Sequence, residues 1–189
     1  MGGYMTESDE ELIELANAGQ AEAFEALYLR YRDWVYHLAW RLTGNREDAL
    51  DVLQETFAYL LSKFPGPAGR QARFALSAAV TTFLYPVVRH LAIATRNRKG
   101  RFGSDTEVLS ELAAPESPQP GGSRTDLAAV LTALPEDQRE VVLMRFVDSM
   151  SLQEIAAALN IPLGTVKSRL HNALNTLRDD RRTRDYFLE

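Results

Sequence analysis

Residues 151–178 read SLQEIAAALNIPLGTVKSRLHNALNTLR, and the order of polar, apolar and turn-forming residues there predicts two short amphipathic helices joined by a tight turn. Ser151 and Glu154 have the spacing of a capping box, in which each side chain satisfies a backbone N–H that the first helical turn leaves unpaired. Leu152, Ile155, Ala156 and Leu159 then recur at helical spacing and mark a buried face. Asn160 tolerates a left-handed backbone and Pro162 follows it, so the first helix has to stop there. In the second helix, at about 100° per residue, Leu163, Val166, Leu170, Ala173, Leu174 and Leu177 fall on one side and form its core face.

The opposite side of that helix carries Thr165, Ser168, His171, Asn172 and Asn175, short side chains that donate and accept, with Gly164 reducing bulk near the helix start. Such a face suits base edges in a major groove. Lys167 and Arg169 flank it, where a cation meets phosphate and fixes register rather than sequence. Two amphipathic helices joined by a turn occur in many small helical domains. It is the combination of box, turn and polar face that narrows the reading to a DNA-binding helix-turn-helix.

The run LPEDQREVVLMRF just upstream, the SLQEIAAALNIP turn and GTVKSRLHNAL closely resemble the C-terminal domain of bacterial sigma factors of the extracytoplasmic function (ECF) group. The resemblance implies that residues 126–180 form a domain that reads the minus-thirty-five promoter element. Its two supporting helices begin at Asp126, with Leu127, Val130, Leu131 and Leu134 as apolar positions, and at Pro135, with Val142, Leu143 and Phe146.

Composition bounds the other possibilities. A chain of 189 residues, nearly half of them hydrophobic, can bury one ordinary core or two small ones. The absence of cysteine excludes disulfides and thiolate metal sites, and His37, His90 and His171 are too far apart in sequence to suggest a ligand set. No metal and no cofactor are expected. The N-terminus is acidic where a secretory signal would be basic, and no apolar run approaches the ~20 residues needed to span a bilayer; a cytoplasmic protein without membrane insertion is expected.

The formal charge of −5 argues against a nucleic-acid partner only until its distribution is inspected. Residues 1–64 carry 5 basic and 12 acidic side chains, whereas residues 65–101 carry 7 basic and none acidic. A basic block therefore sits inside an acidic protein.

Ser8 and Glu11 repeat the capping-box spacing and open a short leading helix that Gly19 can close. A long half-buried helix follows through Phe24, Leu27, Tyr28, Tyr31, Val35, Leu38, Ala39 and Leu42, ending at Gly44, with Trp34 and Trp40 at the rim of its core face. Asn45 caps the next, whose inner face is Ala49, Val52, Leu53, Thr56, Phe57, Leu60 and Phe64 and whose outer stripe is Asp48, Asp51, Gln54 and Glu55. An acidic stripe is by default a solvated face. However, AFEALYLRYRDWVYHLAWRLTGNREDALDVLQETF is very similar to the core-binding segment of the same sigma factors. That resemblance implies that Asp48, Asp51, Gln54 and Glu55 belong to a surface docking on the clamp helices of core RNA polymerase.

Pro65, Gly66, Pro67 and Gly69 break the chain into a loop, which in the family contacts the minus-ten element. In this chain the distance from Phe57 to Phe83 is longer than the family pattern, Phe83 replaces a usual tryptophan and His90 a usual asparagine, and Pro86 is expected to kink or restart its helix. Cations that track phosphates beside rings that stack on unpaired bases suit single-stranded DNA. By resemblance the minus-ten set is Arg70, Arg73, Phe83, Arg89, His90, Arg96 and Arg98. Residues 102–125, rich in Pro and Gly with Asp105, Glu107, Glu111 and Glu116, read as a flexible acidic linker.

The expected protein is thus all-α, with two small helical domains (8–101 and 126–180) joined by that linker. Its expected partners are core RNA polymerase, promoter DNA and an anti-sigma factor. The rival within DNA binding is a dimeric helix-turn-helix regulator that acts without polymerase on a pseudo-palindrome, against which the sigma-like N-terminal domain, acidic over residues 1–64, argues. For an enzyme, neither a nucleophile–base set nor a nucleotide-binding glycine loop is present.

Overall fold

A computed structural model of the chain describes residues 6–65, 73–99, 124–181 and 183, with the side chains of 124–128 left aside. Arg70, most of the linker with its four acids, and the charged tail beyond residue 183 lie outside the described residues. The chain divides into two compact units, Met1–Arg101 and Phe102–Glu189, and the described residues contain eight helices and no strand.

The first unit contains α1 (Asp9–Asn17), α2 (Ala21–Thr43), α3 (Arg46–Leu61) and α4 (Val80–Lys99). Its helix ends follow local chemistry. Ser8 and Glu11 form the reciprocal capping box at α1, Asn45 accepts from the N–H groups of Glu47 and Asp48 at α3, and Gly44 closes α2 in the left-handed region at φ 68°. The core is built from Leu12, Leu27, Val35, Leu38, Val52, Phe57, Leu60, Leu84, Tyr85 and Val88, with Tyr28 edge-on to Phe57 at 4.8 Å and Phe24 edge-on to Phe64 at 5.9 Å.

One sequence expectation is corrected by the structure and another is narrowed. Asp48 does not face outward with Asp51 and Glu55: it is fully buried in the first turn of α3 and pairs with Lys99. Angular spacing alone misplaced it because α4 lies over that edge of α3 and brings a cation to meet the carboxylate. Nor does Pro86 restart the helix, since α4 runs unbroken from Val80 to Lys99 with Pro86 in its second turn and exposed. Pro86 lacks the N–H that would donate to the Thr82 carbonyl one turn earlier, so one intrahelical bond is forfeited while the helix continues on both sides of it.

The second unit contains α5 (Arg124–Ala133), α6 (Glu136–Phe146), α7 (Leu152–Leu159) and α8 (Leu163–Asp179). Val130, Leu131, Leu134, Val142, Leu143, Ala173 and Leu177 form one buried cluster, against which Leu170 and Leu174 pack. Phe146, expected among the apolar positions of its helix, is instead 61% exposed. Val141 to Met144 are all buried, so α6 is surrounded along that turn, and Phe146 at its end passes out of the cover.

Candidate nucleic-acid interface

The turn between α7 and α8 is set by a few backbone bonds. Ser151 and Glu154 form the capping box that starts α7. Asn160 takes the left-handed conformation at φ 52°, its N–H donating to the carbonyl of Ala157 and that of Ile161 to Ala156, the paired bonds of a Schellman ending. Pro162 then leads into α8, its carbonyl accepting from Thr165 and Val166. Three residues, Asn160 to Pro162, turn the chain from one helix into the next.

Val166, Ala173 and Leu177 anchor α8 in the core. Ser168, His171 and Asn172 are exposed, and Thr165 and Asn175 half-buried. The face left outside is therefore the polar one, and His171 and Asn175 already engage each other, Nε2 to Nδ2 at 3.0 Å. A Cβ at Gly164 would meet no atom within 4 Å, so no packing inside the protein requires glycine there and the helix start is open to close approach. Lys167 is exposed. Arg169 is not free in the same way: its Nε lies 3.0 Å from a carboxylate oxygen of Asp137 in the first turn of α6, a partner that sequence spacing did not suggest.

In the first unit the outward face of α4 carries Phe83, Pro86, His90, Ile93 and Asn97, of which all but the half-buried Phe83 are exposed. Phe83, His90 and Asn97 recur every seven residues, two helical turns. Asn97 was missed in the sequence reading, and that spacing from Phe83 is the signal that identifies it; Ile93, also missed, stands the same seven residues from Pro86. The arginines sit beside this face. Arg96 donates to the carbonyl of Leu42 at 3.3 Å, Arg98 donates to the hydroxyl of Thr95 at 3.1 Å and lies 3.6 Å from Glu55, and Arg89 is half-buried. Arg73, by contrast, pairs with Glu14 of α1. On α3 the outward stripe is Asp51, Gln54 and Glu55, all exposed.

A helix-turn-helix in one unit and, in the other, an acidic helix beside a basic one are the features of a helical DNA-binding protein. The Sigma-70 region 2 family matches residues 27–102 and the Sigma-70, region 4 family residues 124–177. Among curated relatives, RNA polymerase sigma-H factor of Pseudomonas aeruginosa is 30% identical over 88% of this chain and 90% of its own length. ECF RNA polymerase sigma factor SigL of Mycobacterium tuberculosis is 32% identical over 86% and 91%, and SigW of Bacillus subtilis 29% over 88% and 92%. Solved structures share the fold: CnrH, in complex with the cytosolic domain of CnrY, matches with a TM-score of 0.64 at 20% identity over 90% of this chain and 94% of that one. RpoE of Bartonella quintana, in complex with the anti-sigma factor NepR, matches at 0.57 and 22% identity over 82% and 94%. The chain belongs to the ECF group of the sigma-70 family and is an RNA polymerase sigma factor, an initiation factor rather than an enzyme.

Proposed function

We propose that the two domains divide promoter recognition between them. The C-terminal domain lays α8 in the major groove of the minus-thirty-five element, with Thr165, Ser168, His171, Asn172 and Asn175 towards base edges and Lys167 and Arg169 on phosphates. In the N-terminal domain, Asp51, Gln54 and Glu55 of α3 dock on a basic surface of core polymerase. The outward face of α4, from Phe83 through His90 to Asn97, receives the unpaired minus-ten strand, with Arg89, Arg96 and Arg98 beside it and Arg70 and Arg73 assigned to phosphates of the same strand. The observation that carries this reading is that the outward face of α4 presents the rings of Phe83 and His90 and no Arg, Lys, Asp or Glu, while its arginines lie beside it, the arrangement that lets bases stack and phosphates run past.

Residues 102–125 serve as the acidic connector between the domains. The protein acts in the cytoplasm, where its polymerase is; among the described residues no helix is long and apolar enough to cross a membrane. An anti-sigma factor, as found with RpoE of Bartonella quintana, would hold the protein off polymerase by covering the same α3 surface.

With its two DNA faces on separate units and 12 acidic against 5 basic side chains over residues 1–64, the free chain gains little from binding twice, and that segment repels phosphate until a basic partner covers it. A footprint of the protein alone on duplex promoter DNA is expected to be weak and poorly specific. With core polymerase it is expected to become promoter-specific, with unpaired thymines reactive to permanganate. A sharp symmetric footprint without polymerase would overturn the reading in favour of a dimeric regulator.

A further inference from the structure

Asn17 is the last residue of α1 and Phe74 lies fifty-seven positions further on, in the segment that leads into α4. Asn17 Nδ2 donates to the Phe74 carbonyl at 2.7 Å, and the Phe74 N–H donates to Asn17 Oδ1 at 2.9 Å. One side-chain amide thus satisfies both backbone groups of a single residue, as a neighbouring strand would. Residues 73–76 belong to no helix or sheet and have no ladder of their own to do this. One turn earlier on α1, Glu14 pairs with Arg73, a second attachment of the same segment.

The Phe74 ring so held meets Phe64 edge-on at 5.2 Å and Phe83 at 5.2 Å with planes 63° apart. Phe83 in turn lies parallel to Tyr59 at 6.2 Å, and Tyr59 carries the Lys63 ammonium 4.1 Å from its ring centroid. Of the residues that open the outward face of α4, Phe83 alone has its ring fixed by others, and Phe74 is one of the two that fix it. The order of contacts is Asn17, Phe74, Phe83.

We infer that Asn17 is a positioning residue for strand opening, setting through Phe74 the ring of Phe83 on which an unpaired promoter base stacks. This rests on the proposed role of α4. It gives α1 a part in DNA handling that no contact of its own with DNA would reveal. The physical reason is entropic: a ring free to rotate loses that freedom when a base stacks on it, whereas a ring already wedged between two neighbours does not.

The test uses the full chain assembled with core polymerase on a promoter carrying 2-aminopurine at each unpaired minus-ten position in turn. Phe83→Leu is expected to abolish the fluorescence quenching at one position. Asn17→Ala should lower open-complex formation about tenfold, the loss of two partly buried hydrogen bonds, and weaken quenching at that same position, with core affinity within about twofold. Asn17→Asp, which still accepts from the Phe74 N–H, should fall between, and Asn17→Ala added to Phe83→Leu should do no further harm. Wild-type opening by Asn17→Ala while Phe83→Leu fails would remove Asn17 from the mechanism and leave the stacking reading standing. Loss of core affinity in parallel with opening would make Asn17 a structural staple only and overturn the inference. Normal quenching and opening by Phe83→Leu would overturn the stacking reading and the inference with it.

Discussion

The ammonium of Lys99 at the end of α4 pairs with the carboxylate of Asp48, a side chain buried in the first turn of α3, and lies 3.8 Å from the exposed Asp51. One residue earlier, Arg98 lies 3.6 Å from Glu55. The acidic stripe and the basic block, distant in sequence, therefore meet along one seam between two helices. Asp48 also sits where the N-terminal end of a helix favours negative charge, so its place in the fold is structural and the docking surface is narrower than the stripe suggests.

Asp48→Ala should cost about 2 kcal/mol in urea unfolding, because it removes a buried carboxylate together with its Lys99 pair and leaves a gap in a close-packed seam. Asp51→Ala, an exposed partner at longer range, should stay within about 0.5 kcal/mol. Equal losses at the two positions would contradict the division between structural and surface acid.

Asp51→Lys combined with Glu55→Lys should abolish capture of core polymerase while leaving helicity intact and stability within about 1 kcal/mol, since exposed pairs contribute little. Glu55→Gln alone releases Arg98 from its neighbour and should raise the non-specific DNA affinity of the isolated chain by about twofold. Undiminished polymerase capture by the double variant would make the stripe a solvated face.

On α8, Ser168→Ala or Asn172→Ala should relax preference at one or two positions of the minus-thirty-five element, each removing a donor and an acceptor from the open face. Lys167→Ala should weaken all sequences evenly and lower the salt slope by about 1 unit. Arg169→Ala should do the same and also destabilise the domain by up to about 1 kcal/mol through loss of the Asp137 pair. A change of base preference from Lys167→Ala with none from Asn172→Ala would reverse the assignment of the two faces.

The Tyr31 phenol donates to Asp9, which also accepts from Arg30 at 2.6 Å. Burial first, then the bond to Asp9 and its charge, push this phenol well above its ordinary value, with Arg30 opposing. The neutral form is the one favoured in the folded state. Its contribution is present below the ordinary value of 10.0 and is lost as pH rises from there through the folded value, where the unfolded chain ionises first. Tyr31→Phe should flatten the alkaline fall in stability, and the phenolate absorbance it removes from a native titration should be the part appearing above the ordinary range. An unchanged alkaline limb would refute the coupling between α1 and α2 at this site.

Much of this molecule was determined by short-range sequence. Ser8 with Glu11, Asn45, Gly44, Ser151 with Glu154, and Asn160 place helix ends through bonds between residues a few positions apart, and the alternation of apolar and polar residues at helical spacing assigns each helix its inner face. The polar side of α8 was legible for the same reason: one helix, read by angle, separates Val166 from Ser168 and Asn172 without knowledge of any neighbour.

Only the tertiary structure decided which side chains meet across helices. That α4 covers Asp48, that Asp137 engages Arg169, that Phe146 leaves the core at the end of α6, and that Asn17 holds the backbone of Phe74 all depend on where another segment packs. Periodicity tells a residue which way it points relative to its own axis, but not what stands there. Burial and ion pairing are set by distances between elements far apart in sequence, and those distances come from the packing of whole faces.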